Sequence, residues 1–166
     1  MAARDLVVIA MTLFGLGLAF FILHYVGTIY TETMIAEPQI NQTEQVVEAY
    51  DGLNKTLSRL DYLMLGVFIG LTLAYIITGW FIGGNPIFMF IYFLVTVVTT
   101  VVATIIANVW VDMTGAAEFG TTIAAFPITN HLLSNLPYYV AVLGFIGIVV
   151  MFAKPYFMGA QGGGEY

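Results

Sequence analysis

Apolar positions fall along the chain in four long runs, separated by polar or glycine-rich connections. Ahead of the second run the pattern is different. From Asn41 onward, Val46, Tyr50, Leu53, Leu57, Leu60 and Met64 recur at alternating steps of four and three. Such steps put side chains on one stripe of a helix, a heptad seam that needs a partner helix to cover it. Asn41 is placed to cap that helix, with Glu44 three residues on in a variant of the capping box. Asp51 and Lys55 form a favourable i, i+4 pair, whereas Gly52 weakens the helix. No proline interrupts 41–82. The pattern therefore predicts one unbroken helix, amphipathic and outside the bilayer over 41–61, then a transmembrane span over 62–82.

The remaining runs predict spans over 6–30, 87–111 and 137–154. The first is long enough, at about 1.5 Å per residue, to cross a bilayer with some tilt. The third is rich in Val, Ile and Thr, which favour strands, but its length and the need to pair every backbone group in lipid decide for a helix. Pro137 suits the first turn of the fourth and Pro155 is expected to end it. Gly83, Gly84, Asn85 and Pro86 form so short a turn that the second and third spans are expected to pack as a tight antiparallel hairpin. The fold class is thus an all-α membrane protein of four transmembrane helices. It forms a single integral domain over 1–166, with a flexible glycine-rich tail at 159–166.

Small and polar residues on the spans mark candidate packing faces. Gly66, Gly70, Ala74 and Thr78 recur every fourth residue, a spacing that lets another helix approach closely in lipid. Met11, Gly15 and Ala19 give the first span a weaker version. Thr96, Thr100, Thr104 and Asn108 repeat the spacing on the third, with Asp112 at its end. Their hydroxyls are expected to bond back to their own helix or across to the glycine stripe, rather than to line a water path. A stripe of this spacing drifts by about 40° per step. Between the third and fourth spans, Gly115 to Asn135 carries only Glu118 and His131 as titratable groups. Its stretch Thr121–His131, broken by Pro127, is too short to span and is expected to lie along the membrane surface rather than dip back into the bilayer.

Composition agrees with the pattern. Of 166 residues, 60% are hydrophobic and 8% charged, far below the ~25% charged of soluble domains. The net charge of −6 lacks the basic footprint that nucleic acid requires. There is no cysteine to form a disulfide or act as a nucleophile. The first apolar run is too long for a cleaved signal, so a retained anchor is expected. The triplets at Asn41 and Asn54 match glycosylation acceptors, which matter only in a secretory setting. An even number of spans puts both termini on one side, and we read that side as inside. Lys55 and Arg59 balance Arg4 and Lys154 across the membrane, so basic residues do not decide it.

Candidate chemistry is sparse. His24 and His131 lie far apart in sequence, no metal-ligand spacing or serine elbow occurs, and no charge falls mid-span. We therefore expect no enzyme, no cofactor, no metal and no small-molecule substrate. The expected partners are the lipid bilayer and other membrane subunits, in a homo- or hetero-oligomer. Docking would use Val46, Tyr50, Leu53, Leu57 and Leu60 outside the membrane and the small-residue faces within it. In size, hydropathy and absent chemistry the chain is similar to the small integral proteins of membrane-containing virus particles, a likeness of general style across the whole chain. The leading expectation is a structural or assembly subunit. The alternatives are a pore former of holin or small-channel type using the Thr96–Asn108 face, and an accessory subunit of a respiratory or transport complex.

Overall fold

The computed structural model describes residues 2–38, 44–82 and 86–159. Helices take up nearly all of them, and no strand occurs among them. In order these are α1 (Ala2–Ala36), α2 (Glu44–Ser58), α3 (Leu60–Ile82), α4 (Pro86–Thr114), a 3-10 turn at Ala117–Phe119, and the short helices α5 (Gly120–Ala125) and α6 (Pro127–Ser134). Then comes α7 (Leu136–Gly159). Three runs, Arg4–Ala36, Glu44–Phe81 and Met89–Thr114, are long and apolar enough to cross a membrane. A fourth is present if α6 and α7, which meet at 67°, count as one broken span. Apolar stretches of this length can satisfy their backbone in lipid as helices.

α7 sits at the centre of the packing. Its contact with α4 is the most extensive in the molecule, and it also packs on α3 and α1. Glycines let it come close. A Cβ at Gly144 would collide with Thr96 of α4, and one at Gly147 with the hydroxyl of Tyr75 on α3. Gly79 of α3 in turn faces Val150 and Met151. The tight α3–α4 hairpin expected from the sequence is not what the described residues show. Contact between these helices is marginal at most, and α7 packs against both. The turn itself, 83–85, lies outside the described residues.

Three other boundaries differ from expectation. The helix predicted to run unbroken from 41 to 82 is interrupted by a one-residue turn at Arg59, and its capping residue Asn41 lies outside the described residues. α1 continues six residues past Tyr30, because nothing between Thr31 and Ala36 breaks a helix. α7 continues through Pro155 to Gly159; residues 160–166 of the expected tail lie outside the described ones. The connection after α4 packs into the bundle. Phe126, Thr129 and Leu133 are fully buried, and α6 is wedged against α1, α3 and α4. Pro127 occupies the first turn of α6, where it starts a helix rather than breaking one.

Candidate functional site

The faces of the long helices explain where each candidate residue lies. On α3 the buried positions are Asp61, Met64, Tyr75 and Gly79, with Phe68 and Leu71 half-buried between them. These continue the heptad seam of α2 at steps of three and four. The seam, not the small-residue stripe, is thus the face that α3 turns to α1, α6 and α7. Gly66, Gly70, Ala74 and Thr78 are all exposed, and a Cβ at Gly66 or Gly70 would meet open space. The weaker set on α1 behaves the same way. Met11, Gly15 and Ala19 are exposed, whereas Gly17 and Gly27 lie against the interior.

On α4 the buried face is Tyr92, Thr96, Thr99, Ala103, Ala107, Trp110 and Thr114. The fourfold stripe starts on this face and leaves it. Thr96 is buried, Thr100 half-buried, and Thr104 and Asn108 exposed, as a drift of about 40° per step requires. The hydroxyls of Thr96, Thr100 and Thr104 donate to the carbonyls of Tyr92, Thr96 and Thr100 at 2.8–3.0 Å. None crosses to the glycine stripe of α3, so back-bonding is the half of the expectation that the geometry shows.

Beside this bundle α2 packs antiparallel along the C-terminal part of α1. Leu57 is buried against Gly27, where a Cβ would collide with it. The Tyr50 and Tyr30 rings meet edge to face at 6.3 Å. Oγ1 of fully buried Thr31 lies 2.9 Å from both the Thr28 carbonyl oxygen and Asn54 Oδ1, which share its one proton. Val46 and Leu60 are half-buried and Leu53 remains 41% exposed. The seam therefore finds its partner within its own chain. Of the two asparagines in glycosylation triplets, Asn54 has its Oδ1 against Thr31; the other, Asn41, lies outside the described residues.

The most polar buried cluster sits where α2 becomes α3, beneath α6. Asp61 is 2% exposed and its carboxylate accepts the backbone N–H groups of Ile128 at 3.0 Å and Thr129 at 2.7 Å. An N-terminal helical turn carries unpaired N–H groups and a positive end charge. Phe126, the residue at the cap position of α6, has no side chain able to satisfy them. Asp61 reaches in from another helix to do so. Next to it Trp110 donates from Nε1 to Asn130 Oδ1 at 3.0 Å. Phe21 packs edge-on against Trp110 at 5.4 Å and Phe119 at 5.4 Å, and His24 against Phe126 at 4.9 Å. The cluster joins α1, α3, α4 and α6 at one end of the bundle. His131 lies exposed on α6, beside Asn135 and Tyr139. Among the described residues no three His, Asp or Glu side chains converge to hold a metal ion.

Sequence reasoning missed Asp61, Gly144 and Gly147. Asp61 occupies a seam position one turn after Leu57, which was the available signal. The two glycines stand three residues apart in the fourth span, a visible spacing. Matches to the chain were sought among protein-family models, curated proteins and solved structures, and none was found.

Proposed function

We propose that the protein is a non-enzymatic structural or assembly subunit of a membrane complex, such as a minor membrane protein of a membrane-containing virus particle. The observation that carries this reading is the exposed stripe of Gly66, Gly70, Ala74 and Thr78. Glycines in a helix cost about 1 kcal/mol each relative to alanine. Gly144, Gly147 and Gly27 offset that cost by internal close packing, but Gly66 and Gly70 have no neighbour to approach. A close-fitting helix from another subunit would give them that role, because small residues drive association between spans in lipid. The α1–α2 pair would supply the contact outside the membrane, with Leu53 and the exposed acids Glu44, Glu48 and Asp51 on its outer side.

The test is mild-detergent extraction from native membranes, followed by identification and stoichiometry of what co-purifies. We expect a defined assembly that is lost in Gly66→Ile/Gly70→Ile, while the isolated variant stays folded. Recovery of a lone monomer from native membranes would overturn the reading. Co-purification with subunits that carry redox or transport cofactors would favour the accessory-subunit alternative. The pore reading draws on exposed Thr104 and Asn108, which could face a shared lumen only in an oligomer. Conductance in planar bilayers that falls in Thr100→Val/Thr104→Val would favour it.

A further inference from the structure

The first turn of α6 is held by two titratable side chains that come from different helices. Asp61 of α3 accepts its N–H groups at Ile128 and Thr129. His24 of α1 packs edge-on against Phe126, the residue at the cap position, with ring centroids 4.9 Å apart. The rest of α6 is held by groups that do not titrate. Leu133 lies over Gly17, and Asn130 accepts from Trp110 Nε1. His24 is 7% exposed, and its Nδ1 is buried with no hydrogen-bond partner among the described residues. A neutral imidazole tolerates such a place, because one of its nitrogens carries no proton. An imidazolium does not: both nitrogens become donors, and a charge is taken out of water unpaired. The elements around this turn also carry Lys55, Arg59, Asp112, Glu118 and His131, all exposed, and Tyr25 is half-buried beside His24. Asp61 is the carboxylate that shares the buried cluster.

We propose that His24 and Asp61 form an acid-sensitive latch on α6, closed at neutral pH and released when His24 takes a proton. Once charged, His24 has two ways to satisfy its new donor. It can swing out to water, which takes its ring from Phe126. It can instead bond the Asp61 carboxylate, whose oxygens already serve the α6 N–H groups. Either move loosens the first turn of α6. An imidazole free in water is half protonated at about pH 6.5. Below that pH the released state binds a proton for which the closed state has no partner. Protons favour the state that binds more of them, so the latch is firm above about pH 6.5 and weakens as the pH falls from there. One unit lower, the ratio of released to closed molecules should be about tenfold higher than at neutral pH.

Hydrogen–deuterium exchange of the full chain in nanodiscs tests the latch, at about pH 7.5 and about pH 5.5 and corrected for the intrinsic effect of pH on exchange. The amides of residues 128–134 should exchange about tenfold faster at the lower pH, while those of α7 around Gly144 stay protected. His24→Phe keeps a ring against Phe126 and removes the titration, so the gain should vanish in that variant. His131→Gln should leave it in place. Should His24→Phe fail to fold, nitrogen NMR of histidine-labelled His131→Gln protein asks the same question. The His24 imidazole should then titrate with the same midpoint as the loss of protection in α6. No gain in the unmodified chain, a gain that survives His24→Phe, or one abolished by His131→Gln would overturn the latch. So would a loss of protection spread evenly over all helices, or a His24 that titrates while α6 stays closed.

Discussion

At the scale of single residues, the largest consequences attach to Asp61. It is a carboxylate taken almost wholly out of solvent, and its two partners are backbone N–H groups that no other side chain caps. Removing it leaves both N–H groups buried and unpaired at a helix N-terminus. Asp61→Ala should therefore destabilise the protein by about 2–3 kcal/mol, seen as a lower melting temperature in detergent. Asp61→Asn keeps one good acceptor and should cost roughly half as much. Equal losses in the two variants would mean that the charge, not the cap geometry, is what α6 needs. Little of this was legible beforehand. The cap joins residues more than sixty positions apart, and a single chain of residue types carries no distance between them. The back-bonding of Thr96, Thr100 and Thr104, by contrast, is a local i, i+4 matter and could be read directly.

At the scale of elements, periodicity was a good guide to which segments are helical and a poor guide to which face turns inward. On α3 two stripes competed, and small residues suggested one while the 3–4 alternation of large ones marked the other. The large residues won because they supply the contact area with α1 and α7, whereas glycines add contact only where another backbone comes near. The seam on α2 shows the same logic with a partner already present. Its best-packed residue, Leu57, fits the space over Gly27. Gly27→Val should push Leu57 out and separate α2 from the C-terminal part of α1, while the rest of the bundle stays intact. Hydrogen–deuterium exchange would then show residues 44–58 losing protection, since a lone helix of that length is marginal in water. Retained protection there would mean that α2 is held by contacts other than Leu57. A helical extension of the first span past Tyr30 was hidden because charge at Glu32 marks the end of an apolar run, not the end of a helix.

At the scale of the whole molecule, glycines divide into those that face inward and those that face out, and the two classes should behave differently when enlarged. Gly144 lets α7 meet Thr96 on α4 across the most extensive interface in the bundle. Valine there overpacks a site with no slack, and such changes cost about 1–3 kcal/mol or more where backbones must part. Gly144→Val should lose the folded bundle on thermal challenge in detergent whether or not any partner is present. Gly70 faces open space, so Gly70→Val should leave the melting temperature of the isolated protein unchanged or slightly raised, because valine exceeds glycine in helix propensity. Its effect should appear only in native membranes, as loss of the assembly on extraction. The pair separates fold from association in one comparison. If Gly70→Val unfolds the isolated protein, the outward stripe is part of the fold after all. If it leaves both stability and assembly untouched, the stripe faces nothing but lipid, and the surfaces for neighbours must be sought on the α1–α2 pair alone.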